Sequence, residues 1–146
     1  MSDVVAMEHP DDLVSSAFLQ AVGTEGYERC GAAIASVWLD IHAALDPVIG
    51  TRGVAALYKR SVHIAQGDFP WLAATHVQLP SEIPFDSLTR VFDAQHPDEG
   101  ARAGASLLRS FCRLLDSLVG SSLTERLLRP VLSNLSSVTG ARDESP

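Results

Sequence analysis

Apolar residues recur every three or four positions along most of this chain, which is the spacing of one face of an α-helix. The clearest stretch runs over three heptads: Tyr27, Cys30, Ile34, Val37, Ile41, Ala44 and Val48. A shorter pattern at 9–23 predicts a helix before this one, ended by Gly23, with Thr24 as the cap of the next. No segment alternates apolar and polar residues as a β-strand does. The predicted fold class is therefore all-α.

A third helix is predicted between Thr51 and Gly67, with the apolar stripe Val54, Leu57, Tyr58, Ile64 and Ala65. After a loop at 77–84 that contains two prolines, Asp86 can cap a helix, and Pro97 begins another. The apolar face of the latter is Leu107, Leu108, Phe111, Cys112, Leu115, Leu118 and Val119.

The last predicted helix begins after Gly120, which ends the helix before it. Ser122 and Glu125 have the spacing of a capping box at the start of this last helix. Pro130 lies inside its apolar pattern and should bend the helix or remove one hydrogen bond.

The two halves of the chain resemble each other at an offset of 70 residues. Segment 35–60 aligns with 105–130, sharing Ala-Ser at the start, Leu-Asp in the middle, then Gly and a later Leu. Each segment predicts a helix-turn-helix unit, which buries its apolar stripe by packing on its twin. We expect a single-domain antiparallel bundle of about five to seven helices over 1–135, with a flexible tail at 136–146. The alternative is that two Leu- and Ala-rich helix pairs align by composition alone.

Each half has an aspartate and a glycine at its predicted joint. These are Asp46 with Gly50 in the first half and Asp116 with Gly120 in the second. Pro47 should also interrupt the helix of the first half, because proline disfavours helical geometry at the preceding residue. A carboxylate in a helix's last turn faces the negative end of the helix dipole. We therefore expect each aspartate to accept a hydrogen bond from a nearby arginine or from free backbone N–H groups of the next helix.

Composition narrows the function classes. A formal charge of −7 argues against a general nucleic-acid partner, which needs a dense basic face. The first residues carry acids where a signal peptide is basic, and charge-free segments such as 30–39 are far shorter than the roughly 20 residues that span a bilayer. We therefore expect a cytoplasmic protein without membrane contact. Cys30 and Cys112 lack a neighbouring cysteine and indicate buried, reduced thiols.

Enzyme and metal signatures are absent from the sequence. It contains no G-x-S-x-G elbow, Walker loop, Rossmann fingerprint or H-E-x-x-H. His63, Asp68, His76 and Glu82 lie near one loop, but no pair has the spacing that holds two ligands on one helix face. We expect no metal and no cofactor, and more readily a non-catalytic protein than an enzyme.

His63 is the residue that most invites a chemical role. On a helix it projects with Lys59 and Arg60, one turn earlier, away from the apolar stripe. Cationic neighbours favour the neutral, nucleophilic imidazole and can pair with a phosphoryl group. The simpler alternative is a solvated histidine on a charged face.

The segment HIAQG at 63–67 resembles the H-x-L-K-G signature of histidine-containing phosphotransfer domains. The resemblance covers five residues and implies that His63 is a phosphoacceptor on a helix of an antiparallel bundle. Ala65 replaces the usual Leu and Gln66 the usual Lys, so the phosphate-neutralising charge of that family is missing at 66.

Four residues are candidates for a contact with a partner. Leu39 falls on the polar side of its helix beside His42, where a soluble monomer would more often place a charge. Phe69 and Trp71 would be the best aromatic anchors if they are exposed, although a core role comes first for Trp71.

The leading interpretation is a non-catalytic regulatory or protein-interaction module of a cytoplasmic signalling system. Its partner would be another protein or a second copy, with no nucleic acid and no membrane. The alternatives are a phosphotransfer domain that uses His63, or a small-molecule sensor with its pocket between the two repeats.

Overall fold

The computed structural model describes residues 14–20, 31–75 and 83–144, with side chains as far as 135. Helices and short turns make up these ranges, and none of their residues lies in a strand, so the all-α prediction is confirmed. The helices are α1 (14–20), α2 (Gly31–Ala65), a 3-10 helix (Pro70–Thr75), α3 (Phe85–Asp93), α4 (Pro97–Val119) and α5 (Ser121–Glu144). The expectations for His9, Gly23, Thr24, Tyr27, Cys30, His76 and Glu82 lie outside the described residues.

Two glycines with positive φ mark the joints of the chain. Gly50 divides α2 into arms 31–49 and 51–65, with φ 82° and ψ 159°. Gly120 separates α4 from α5 with φ 91° and ψ 157°. The sequence predicted that Pro47 interrupts the first arm of α2, but the helix continues through this residue to Gly50. Proline lacks only its own N–H and fixes a helical φ, so the backbone break falls where glycine permits it.

The starts of the last three helices show which capping predictions hold. His96 caps α4, because its Nδ1 accepts a hydrogen bond from the N–H of Asp98 at 3.2 Å. Asp86 is in the first turn of α3 and does not cap it. Ser122 lies inside α5, which begins one residue earlier, so the predicted capping box does not form. Pro130 is inside α5 as expected, and the helix continues to Glu144, past the start of the predicted tail.

The core forms where α2 meets α3, α4 and α5. Trp38 lies at its centre, fully buried, with edge-on ring contacts to Tyr58 at 5.1 Å and Phe111 at 4.9 Å. These contacts join the two arms of α2 to α4. Cys112 is buried in the same core, as expected for a thiol that packs as a small apolar side chain.

Three residues predicted on apolar faces are exposed instead. Val48 is 50% exposed and Leu118 62%; each lies in the last turn before a glycine joint, where the chain leaves the helix axis. Ile64 is 50% exposed, because Ser61 takes the buried position on that arm. The Ser61 hydroxyl can be buried there since it donates to the carbonyl of Leu57 at 2.7 Å.

Candidate functional site

None of the exposed side chains on the first arm of α2 is charged. Its exposed residues at intervals of three and four form one line along the helix, which we call the α2 stripe: Ala32, Ser36, Leu39, Ala43 and Pro47. Leu39, at the middle of this line, is 56% exposed. Asp40 flanks the stripe and is half-buried, and its carboxylate accepts a hydrogen bond from Asn134 of α5 at 3.1 Å.

The face of α4 that lies 70 residues later is charged. Three positions of the α2 stripe correspond to exposed arginines, with Ala32 at Arg102, Leu39 at Arg109 and Ala43 at Arg113. These positions are exposed to solvent on both helices, but only the face of α4 carries the charged side chains that are typical of an exposed helix face. This difference in charge makes the α2 stripe a candidate contact surface.

His42 lies beside the α2 stripe and not on it. Its ring is half-buried and meets the ring of Phe85 edge-on at 6.5 Å. The carboxylate of Asp46, one helical turn after His42, instead accepts a hydrogen bond from the hydroxyl of Thr51. His42 thus links the first arm of α2 to the start of α3.

Phe69 and Trp71 are half-buried against the protein's own core. The indole ring of Trp71 packs edge-on against Phe92 at 5.0 Å, and its Nε1 donates to Glu99 Oε2 at 3.1 Å. The remaining face of this ring lines an open groove of about 450 Å³ beside α3, together with Pro70, Ala74, Arg90, Val91, Ala94 and Gln95. The hydrogen-bonding capacity of Trp71 is therefore used within the chain, and only its apolar surface is available.

His63 is exposed on the second arm of α2 and borders a cleft of about 280 Å³. The cleft lies between that arm and the 3-10 helix, and its other lining residues are Tyr58, Lys59, Val62, Gln66, Ala73 and Thr75. Lys59 is therefore brought to the same cavity as His63, whereas Arg60 is exposed but is not part of the lining.

One wall of this cleft is a buried phenol. The hydroxyl of Tyr58 donates a hydrogen bond to the backbone carbonyl of Thr75 at 3.2 Å. Burial raises the pKa of Tyr58 well above its usual value, while the side-chain hydroxyl of Thr75 acts in the opposite direction. Tyr58 is thus neutral at physiological pH and presents an aromatic surface to the cleft.

The aspartates at the two joints differ in their hydrogen bonding. Asp46 receives its hydrogen bond from the side-chain hydroxyl of Thr51 and not from the arginine or backbone N–H that was expected. Oδ1 of Asp116 is buried and has no hydrogen-bond partner within the described ranges. Thr51 was overlooked as a partner of Asp46 because a threonine after a glycine has no distinctive sequence signal.

Neither of the two pockets described above lies between the predicted repeats. Both border the 3-10 helix, and neither is lined by a residue from 105–130. Within the ranges that the structure describes, no three His, Cys, Asp or Glu side chains are grouped as metal ligands.

By length and composition alone, α2 is apolar enough to cross a membrane, with a mean hydropathy of 1.4 over 18 residues. Core helices of soluble proteins and signal sequences meet the same criterion. No protein-family model, no curated protein and no solved structure matches the chain.

Proposed function

We propose that the protein is a non-catalytic regulatory module of a cytoplasmic signalling system, which acts by protein–protein contact through the α2 stripe. The observation that carries this proposal is the contrast between the α2 stripe and the arginine-bearing face of α4. Two helix faces with the same exposure differ in charge at three corresponding positions: Ala32 and Arg102, Leu39 and Arg109, Ala43 and Arg113. A partner that covers the first face explains the difference.

The occupant that we propose for the α2 stripe is a second copy of this chain. Ala32, Ser36, Leu39 and Ala43 are spaced by four, three and four residues. Side chains at this spacing stay on the side of a helix that faces a neighbouring helix, as in a coiled coil. Small residues on both sides of Leu39 allow two helices to approach closely. The residues of the stripe itself bring no like charges together, and the flanking Asp40 carboxylate is bonded to Asn134, so two acidic chains can meet there.

A two-fold arrangement makes the same stripe complementary to itself, so the assembly closes at a dimer. One helix face is small compared with the roughly 1,200 Å² that stable interfaces bury. We therefore expect a dimer that dissociates on dilution, which suits a regulatory contact better than a permanent one.

The cytoplasmic part of the proposal rests on the packing of α2. The apolar residues Trp38, Ile41 and Leu45 are fully buried inside the chain. Intramolecular packing of these residues accounts for part of the high hydropathy of this helix, and Asp40 on its flank is bonded to Asn134.

We further propose that the two halves form a pseudo-repeat within an antiparallel bundle. The matching φ and ψ of Gly50 and Gly120 support this, as does the contact of Trp38 with Tyr58, which requires the chain to turn back at Gly50. Eight pairs of positions that lie 70 residues apart are buried in both halves. The pairs are Val37 and Leu107, Trp38 and Leu108, Ile41 and Phe111, Leu45 and Leu115, Val54 and Thr124, Tyr58 and Leu128, Ser61 and Val131, and Ala65 and Leu135. Ala55 is an exception, since it is buried whereas Glu125 is exposed.

Sedimentation velocity over a range of protein concentrations tests the proposed dimer. We expect the wild-type chain to associate as concentration rises and Leu39→Arg, which introduces the residue found at position 109, to stay monomeric. Leu118→Arg is the matched control, because it makes the same change at an exposed leucine outside the α2 stripe. It should associate like the wild type.

A wild-type monomer at every concentration, or equal effects of both variants, would contradict the proposal. So would a monomer that co-sediments with phosphatidylcholine vesicles and loses this binding in Leu39→Arg, because the α2 stripe would then contact lipid.

Phosphotransfer at His63 remains a second candidate, favoured by the presence of Lys59 in the same cleft. In this reaction a ring nitrogen of His63 takes the phosphoryl group of acetyl phosphate and releases acetate. Intact-mass measurement after incubation with acetyl phosphate should show one added phosphoryl group that is absent in His63→Gln and present in His42→Gln. An unmodified wild-type chain would remove this candidate.

A further inference from the structure

We infer that the cleft beside His63 binds a small carboxylate with an apolar body, of the size of a substituted benzoate. This site is independent of the α2 stripe. Its volume of about 280 Å³ lies at the lower end of the range of small-molecule pockets, roughly 300 to 1,000 Å³. That size accommodates a single-ring molecule.

The charge of the lining selects an anion. Lys59 is the one charged residue among those that line the cleft in the described part of the chain, and none of them is an acid. The chain as a whole has a formal charge of −7, so its overall field repels anions and a local cation is needed to attract one. Lys59 provides that cation at the cleft.

The hydrogen-bond donors of the cleft lie in a row. Lys59, His63 and Gln66 occupy positions i, i+4 and i+7 along the second arm and its first following turn, which places them on one side of the cavity. An ammonium, an imidazole N–H and an amide NH₂ are all donors that a carboxylate can accept from. The carboxylate of the ligand therefore belongs on this side.

The remaining wall of the cleft, formed by Tyr58 and Val62 on the same arm and by Ala73 and Thr75 on the 3-10 helix, favours an apolar body. The hydroxyl of Tyr58 is bonded to the Thr75 carbonyl, and the hydroxyl of Thr75 donates to the Leu72 carbonyl at 2.7 Å. Both hydroxyls are thus engaged within the chain, and the wall presents the aromatic ring together with the aliphatic groups of Val62 and Ala73. A bare anion such as inorganic phosphate would leave these apolar surfaces uncovered.

Titrations with benzoate, benzamide and inorganic phosphate, followed by NMR chemical shifts or calorimetry, test this inference. Benzoate should saturate a single site and bind more tightly than either other probe. Lys59→Gln should weaken benzoate binding by about threefold or more, as expected for one partly exposed ion pair, and leave benzamide binding unchanged. Arg60→Gln is the matched control, since it removes a neighbouring exposed cation that does not line the cleft.

A third variant tests the position of the site. Ala73 is exposed and lines the cleft, so Ala73→Leu should fill the cavity and reduce benzoate binding while the fold is retained. The inference would be overturned by the absence of saturable benzoate binding, by equal effects of Lys59→Gln and Arg60→Gln, or by phosphate binding as tightly as benzoate. Leu39→Arg, which tests the proposed dimer, should leave benzoate binding unchanged.

Discussion

Thr51 and Asp46 are joined across Gly50 by a hydrogen bond from the threonine hydroxyl to the carboxylate. This bond connects the last turn of one helical arm to the first turn of the next. At the other joint, Ser121 occupies the place of Thr51, but Oδ1 of Asp116 is buried without a partner among the described residues. The two joints therefore share a backbone conformation but differ in the side-chain contact that stabilises it.

Thr51→Val should lower the free energy of unfolding by about 1 to 2 kcal/mol, because it removes a hydrogen bond to a charged group and leaves the carboxylate unpaired. Ser121→Val at the corresponding position should change it by less than about 0.5 kcal/mol. Urea denaturation of both variants measures the difference. Equal losses would mean that the Thr51 hydroxyl contributes no more than the exposed Ser121 hydroxyl.

Gly50→Ala and Gly120→Ala should each destabilise the chain by about 1 kcal/mol or more, because a side chain is disfavoured at φ 82° and 91°. An added Cβ would meet no atom within 4 Å at either glycine, so the cost comes from backbone conformation alone. Gly67→Ala is the control, since Gly67 has no positive φ. Unequal losses at positions 50 and 120 would argue against equivalent joints.

The helices and joints could be predicted from the sequence because their signals are local. The three- and four-residue spacing from Ile34 to Leu45 fixes which side of the helix is buried, and Gly50 and Gly120 fix where it can turn. Pro47 was misread because a proline inside a helix removes one hydrogen bond without forcing the helix to end there.

Exposure could not be predicted in the same way, because it depends on which neighbours cover a residue. Val48 and Leu118 continue their apolar patterns but lie in the last turn before a glycine joint, where the chain leaves the helix axis. The α2 stripe illustrates the same limit. The alignment of the two halves already paired Leu39 with Arg109, but the difference in charge bears on a contact surface only because the structure exposes both positions. The cleft at His63 depends on the 3-10 helix that brings Ala73 to α2, and no sequence pattern indicated that contact.

Tyr58 should make stability fall at alkaline pH. Its pKa is raised in the folded chain, so above about pH 10, the ordinary value for tyrosine, the unfolded chain has lost a proton that the folded chain keeps. The unfolded state then binds fewer protons, and stability decreases by up to about 1.4 kcal/mol per pH unit. Tyr58→Phe should remove this part of the decrease and cost about 1 kcal/mol at neutral pH through the lost bond to Thr75. Denaturation curves at neutral and alkaline pH would contradict the assignment if wild type and variant declined in parallel.

Gly104 should be intolerant of even one added methyl group. A Cβ at this position would overlap the ring of Phe18 and press on Cδ1 of Ile34, so α1 and α2 approach α4 here only because the side chain is absent. Gly104→Ala normally favours a helix by about 1 kcal/mol, but overpacking in a core costs roughly 1 to 3 kcal/mol. We therefore expect a net loss of stability in thermal or urea denaturation. Phe18→Leu alone should also destabilise by leaving a cavity. Because the smaller side chain makes room for the methyl group, the double variant should be more stable than the sum of the two losses. Strictly additive losses would show that α1 does not pack against Gly104.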